Sequence, residues 1–320
     1  MATRSFRSTG VPQVIAHRGA CGHRPEHTLA SYELGYRLGA DSVELDVVAT
    51  KDGVLVCRHD IGLSRTTDVA EHPELAHLRR TLEVEGEVLT DWFVHDLTLA
   101  ELKQLRARER WGRKRSASAS HDGSYPVPTL AEVLALRDAE AARTGGRVGV
   151  HVELKSPRHL REHGGHWLPE LVSEYAGAPD LTFLSFEEEA LADLVAPRKV
   201  RLFDKTPAPK DLTRLADVVS AVGVRRKAVL PRDVTGRVTQ PSKLVAKAHK
   251  RGLEVLVWTH RAENQHLPAN LRIGAEPHGH GDAAGEAALL FEAGIDGLIT
   301  DFPEIALIGR NRLPQLPLAR

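Results

Sequence analysis

Short apolar runs alternate with amphipathic stretches along most of this 320-residue chain. The runs centre near positions 15, 45, 151, 183, 201, 220, 256 and 298, and each reads as a strand with little solvent on either face. Between them, helical patterns cover 28–38, 129–142, 167–175, 188–195, 212–216, 241–251 and 283–293. In the first of these, Leu29, Tyr32, Leu34, Tyr36 and Leu38 precede a glycine stop at Gly39. Strands alternating with helices predict a parallel sheet. Eight of them predict an α/β fold of the (β/α)8, or TIM, barrel type. A doubly wound sheet is the second choice, but no glycine-rich dinucleotide fingerprint follows the first strand.

Two places break the alternation. Thr50-Lys51-Asp52-Gly53 follows the second strand, and Asp-Gly is the strongest short hairpin signal. A parallel return would need a dozen connecting residues, so 54–58 is expected to fold back antiparallel. The stretch 61–128 is irregular and reads as an inserted segment within one domain spanning 1–320. Inside it, Thr98 and Glu101 predict a capped helix start. The segment 106–115 holds six basic residues against one acid. It reads as a solvated loop, with a basic lip for a polyanionic substrate as the sharper alternative.

Composition acts mainly by exclusion. The chain is 42% hydrophobic and 27% charged, ordinary for a globular protein with a sizeable core. Its 43 basic and 43 acidic residues cancel, so no global field favours nucleic acid or a membrane surface. The expected partner is a small molecule, and oligomeric state is left open. No apolar run reaches 18 residues, so no membrane-spanning helix is expected. Met1 to Ser8 lack an apolar core, so a cytoplasmic location is the expectation as the sequence stands, with export requiring a leader ahead of it. Two cysteines, Cys21 and Cys57, are too few for a disulfide scaffold, and a single bond between them is left open.

The candidate chemistry lies at strand ends. Glu44 and Asp46 are two apart in one strand and so share a face, where they repel unless something positive stands between them. Glu153 ends the next barrel strand. Three hard oxygen donors suit one Ca²⁺ or Mg²⁺, Ca²⁺ being slightly favoured, more than zinc. His17 and His59 can flank a phosphorus held there, one taking a proton from the attacking oxygen and the other giving one to the leaving alcohol. Arg18 and Lys155 are the natural clamps for non-bridging phosphate oxygens. Glu26 either orients Arg18 or contacts the metal or a substrate hydroxyl.

The ordered series His17-Arg18-Gly19, Pro25-Glu26-His27-Thr28, Glu44-Leu45-Asp46, Lys51-Asp52-Gly53, His59-Asp60, Glu153-Leu154-Lys155 and Thr300-Asp301 resembles the motifs of glycerophosphodiester phosphodiesterases across nearly the whole chain. The long stretch between His59 and Glu153, and Trp258-Thr259-His260-Arg261 followed by Asn264 and Leu267-Pro268, are more similar to the bacterial exported type. The resemblance implies a TIM barrel that cleaves glycerophosphodiesters to sn-glycerol 3-phosphate and an alcohol. It also implies a divalent metal on Glu44, Asp46 and Glu153, with His17 and His59 as the acid–base pair. Trp258 would stack on the glycerol end of the substrate. One departure is His27, which stands where the family usually carries asparagine. A same-scaffold enzyme acting on lysophospholipids or glycerol-phosphate polymers is the alternative, motivated by the basic segment.

Overall fold

The computed structural model describes residues 10–313. Met1 to Ser8, read above for a leader, lie outside the described residues. Eleven strands are formed there: β1 Gln13–His17, β2 Ser42–Ala49, β3 Leu55–Cys57, β4 Arg80–Val84, β5 Glu87–Asp91, β6 Gly149–Leu154, β7 Leu181–Ser185, β8 Lys199–Phe203, β9 Ala221–Arg225, β10 Glu254–His260 and β11 Gly297–Thr300. Strands β1, β2, β6, β7, β8, β9, β10 and β11 pair in parallel in that order, and β11 closes on β1. The eight apolar runs therefore make a closed (β/α)8 barrel. Every residue of β2 is buried, which is why its pattern is continuous rather than alternating.

The Asp-Gly turn does what its chemistry requires. Gly53 adopts φ 77°, and β3 returns antiparallel along β2 with Cys57 opposite Val47. The sixth barrel strand begins later than the 218–222 expected, because the Val218 and Val219 N–H groups finish the preceding helix by donating to Leu215 O at 2.9 and 3.0 Å.

Among the described residues, four helices, Ser116–Ala119, Pro157–His163, Arg226–Val229 and Pro303–Arg310, fall outside the predicted helical patterns, as does the β4–β5 hairpin. That hairpin buries few side chains and turns at Glu85-Gly86, both at positive φ. Its short pattern carries almost no burial signal.

Apolar side chains pack in two layers. Ile15, Leu184, Val200, Leu202, Ala221, Leu256 and Ile299 form one cluster in the barrel lumen, while larger clusters fill the space between sheet and helices. The helix Leu130–Thr144 lies in that outer layer. Thr129 caps its start with Glu132 as capping-box partner, and Gly145 ends it at φ 64°. Thr98 and Glu101 form the capping box expected of them. Among the described residues no helix is long and apolar enough to cross a membrane. Cys21 and Cys57 are both free and buried.

Candidate active site

Strand register assembles the acidic cluster. Parallel pairing puts His17 opposite Glu44 across β1 and β2, and Asp46 opposite Glu153 across β2 and β6. Residues in register share a face. The three carboxylates are buried, and each offers an oxygen within 4.8 Å of the others.

Such a cluster needs compensation. Burial and then the charges of Asp46 and Glu153 push the Glu44 carboxyl well above its usual range. Burial, opposed by Lys155 and reinforced by Asp46, pushes Glu153 up to about 8. Asp46 goes the other way: burial raises it, but His59, His27 and Arg18 hold it well below the ordinary carboxylate range. Its Oδ1 is buried without a hydrogen-bond partner. Hard oxygen donors from two adjacent strands, one of them orphaned, fit a divalent cation.

The loop after β1 is shaped by backbone demands. Gly19 sits at φ 82°, where a Cβ would come within 2.4 Å of the Ser31 backbone. Arg18 and His27, both at φ 55°, occupy the left-handed region that non-glycine residues seldom enter. Each is tied down. The Arg18 N–H donates to Glu44 Oε2 at 3.0 Å, and the His27 N–H to Arg18 O at 3.2 Å. The Arg18 guanidinium donates to Glu26 at 3.0 Å and lies 3.5 Å from Asp46.

The two histidines are anchored alike. Asp301 stays well below the usual carboxylate range: burial opposes this, but Arg115, Arg261 and His17 outweigh it. An ionised carboxylate only accepts, so His17 Nδ1–H donates to Asp301 Oδ1 at 2.6 Å. Likewise His59 Nδ1–H donates to Asp60 Oδ1 at 2.5 Å. Each ring keeps Nε2 for other partners. Burial and then Arg18 lower His17 to about 4 and His59 to about 3, so both imidazoles are neutral near pH 7. Cys21 Sγ lies 4.0 Å from His17 Nδ1, but burial and Asp301 push that thiol up and keep it protonated.

His17, Arg18, Glu44, Asp46, His59, Glu153, Lys155 and Trp258 all line one cavity of about 870 Å³ at the C-terminal mouth of the barrel. Lys155 Nζ donates to Glu153 at 3.5 Å. Trp258 meets Phe186 edge-on with ring centres 5.4 Å apart, and its buried indole N–H has no partner among the described residues. Glu26 stands behind Arg18 rather than on the cavity wall.

The segment 106–115 differs from both sequence expectations. It is neither a solvated loop throughout nor an outward basic lip. Arg110 grips Glu26 with two hydrogen bonds of 2.7 Å and donates to Asp60 at 2.8 Å. Arg115 donates to Glu263 at 2.7 Å and to Asp301 at 2.5 Å. Arg106 caps backbone carbonyls at Lys103, Gln104 and Leu105, and Arg108 pairs with Glu71. Arg113 and Lys114 are left exposed. Arg110 and Arg115, together with His27 on Asp46, were absent from the sequence-based site. Their role depends on partners distant in sequence.

A closed barrel with three buried carboxylates, basic side chains and two carboxylate-anchored imidazoles at its C-terminal mouth suits phosphoester hydrolysis. The comparisons agree. The model of the glycerophosphoryl diester phosphodiesterase family matches residues 17–305. A glycerophosphodiester phosphodiesterase of Arabidopsis thaliana is 31% identical over 343 residues, covering 94% of this chain and 86% of that protein. An Oleispira antarctica phosphodiesterase, solved with the product sn-glycerol-3-phosphate, superposes with a TM-score of 0.64 at 25% identity, covering 96% of this chain and all (100%) of that one. A protein of Silicibacter pomeroyi DSS-3 shares the fold at a TM-score of 0.65 and 24% identity, covering 94% of each chain. The chain belongs to the glycerophosphoryl diester phosphodiesterase family and is a glycerophosphodiester phosphodiesterase.

Proposed function

We propose that this enzyme hydrolyses glycerophosphodiesters to sn-glycerol 3-phosphate and an alcohol, with one divalent cation and a His17/His59 acid–base pair. The observation that carries the reading is the convergence of two Asp-anchored imidazoles and three buried carboxylates on one cavity. The Oleispira antarctica relative's product complex supports the product assignment. Glu44, Asp46 and Glu153 would hold the cation. Three carboxylates suit Ca²⁺ better than Mg²⁺, which usually takes one or two with several waters. The bound ion would polarise a phosphoryl oxygen and offset charge in the transition state.

The chain's own groups do the rest. Arg18 and Lys155 grip the non-bridging oxygens and orient the phosphorus. One histidine accepts the proton of the attacking oxygen at Nε2, and the other delivers a proton from Nε2 to the departing alkoxide. It takes that proton up when the anionic phosphate binds and offsets the Arg18 charge that, after burial, keeps the free imidazole neutral. Their Nδ1–H bonds to Asp301 and Asp60 fix which nitrogen is free. Glu26 acts by holding Arg18, and Trp258 stacks against the glycerol end.

Hydrolysis of glycerophosphocholine, followed by coupled detection of glycerol 3-phosphate, tests this. Turnover should vanish on chelation and return with added Ca²⁺ or Mg²⁺. His17→Ala and His59→Ala should lose turnover yet keep metal, whereas Glu44→Ala should lose both. Full activity in metal-stripped protein would overturn the metal reading. For the polymer alternative, only Arg113 and Lys114 of the basic segment remain as a motive, since Arg110 and Arg115 face inward.

A further inference from the structure

Each candidate acid–base histidine rests on a carboxylate, and each carboxylate is gripped by an arginine from one short stretch of the inserted segment. Arg115 reaches Asp301 at 2.5 Å, and Arg110 reaches Asp60 at 2.8 Å. We propose that Arg110 and Arg115 are positioning residues for turnover, holding Asp60 and Asp301 so that His59 and His17 keep Nε2 turned to the substrate. This inference rests on the acid–base reading above.

The geometry distinguishes it from mere docking of the insertion. Both guanidinium side chains are nearly out of solvent, with relative exposures of 7% and 6%. Burying charge is costly, and an apolar contact of similar volume often stabilises at least as well. Attachment alone therefore does not call for arginine at these two positions. Arginine is charged at any working pH, so a carboxylate bound to it stays an acceptor and obliges its histidine to donate from Nδ1. The forks are themselves held. Arg115 is pinned by Glu263 and lies over the Phe302 ring at 5.4 Å. Arg110 is pinned by the two-pronged contact to Glu26, which also holds Arg18. One segment thus touches both histidine anchors and, through Glu26, braces the phosphate clamp Arg18.

The test compares Arg110→Gln, Arg110→Lys, Arg115→Gln and Arg115→Lys with His17→Ala and His59→Ala, all as the full chain loaded with Ca²⁺. In the Gln variants kcat for glycerophosphocholine should fall roughly 10- to 100-fold, the range for lost outer-shell partners, with KM within about threefold. The Lys variants should recover part of kcat. ¹⁵N-histidine spectra should show mixed tautomers at His59 in Arg110→Gln and, because Arg261 also donates to Asp301 at 3.0 Å, at His17 in the Arg115→Gln/Arg261→Gln double variant. If the Gln variants do not fold, the Lys variants decide, since they keep the charge and lose the fork. A fall in kcat at an unchanged melting temperature then supports the inference, and kcat within twofold of wild type overturns it. Loss of turnover in both Ala variants, with unaltered kcat and tautomers in the arginine variants, sinks this inference and leaves the acid–base reading standing. Turnover surviving in His17→Ala or His59→Ala sinks both for that histidine.

Discussion

His27 Nε2 lies 2.9 Å from Asp46 Oδ2, with both side chains buried, and the Tyr32 hydroxyl meets the other ring nitrogen at 2.7 Å. Burial lowers the His27 pKa, and burial raises that of Tyr32, so a neutral imidazole faces a protonated phenol. The phenol donates to Nδ1, and Nε2–H therefore donates to Asp46. One Asp46 oxygen is spent, and the orphaned Oδ1 is left for a cation. His27 would thus orient from behind the carboxylate proposed to bind the metal. His27→Ala should weaken Ca²⁺ binding roughly 10- to 100-fold by calorimetric titration. His27→Asn, whose amide can donate a similar bond, should lose less. Unchanged affinity in His27→Ala would refute the role.

Trp258 makes a separate prediction through its unpartnered indole N–H. A buried donor without an acceptor is unfavourable, and Trp258 itself lines the cavity, so a substrate hydroxyl is expected to take up this bond once binding turns the ring and uncovers the N–H. Trp258→Phe keeps an aromatic face and removes the donor. A hydrogen bond of ~1 kcal/mol corresponds to a KM about fivefold higher, with kcat little changed. Trp258→Ala should raise KM further. Steady-state kinetics on glycerophosphocholine would check both, and a normal KM in both variants would remove Trp258 from substrate binding.

Much of the architecture was legible because burial writes itself into the chain. Barrel strands are covered on both faces, so β2 and its neighbours read as apolar runs. Asp52-Gly53 announced the hairpin through its turn conformation. Glu44 and Asp46 could be placed on one face by the period of two, and Glu153 joined them because consecutive barrel strands are neighbours. Arg110 and Arg115 could not be placed. Their inward direction is set by Asp60 and Asp301, which lie 50 and 186 residues away in sequence. An arginine bound for solvent and one bound for a buried carboxylate look alike in composition. The β4–β5 hairpin escaped for the opposite reason, since it is mostly exposed and leaves no periodic trace.

The outward face of the same segment should be dispensable. Arg113 and Lys114 are exposed, while the other four basic residues of 106–115 are engaged by partners within the fold. An Arg113→Ala/Lys114→Ala double variant should keep kcat and KM for glycerophosphocholine within about twofold, because exposed charges at a distance are largely screened at physiological salt. It should also leave any hydrolysis of a glycerol-phosphate polymer unchanged. A selective loss on the polymer would restore the basic-lip reading, with these two residues as its substance.

His151 is opposite Glu44 in the β2–β6 register and is buried below the site. Burial and then the charge of Arg198 lower its pKa from 6.5 to about 3. The unfolded chain therefore binds a proton at this residue that the folded chain refuses. Stability from this source is complete above pH 6.5 and is lost as pH falls toward 3. Between pH 7 and pH 5 the loss from this one residue is ~2 kcal/mol. His151→Leu, of similar volume and without a titrating group, should show a correspondingly shallower decline in unfolding free energy over that interval. The other buried histidines titrate alike in both proteins and cancel in the comparison. Urea unfolding at the two pH values, with metal stripped from both proteins, measures the difference. Parallel declines would mean that His151 takes up its proton as readily in the barrel as in the open chain.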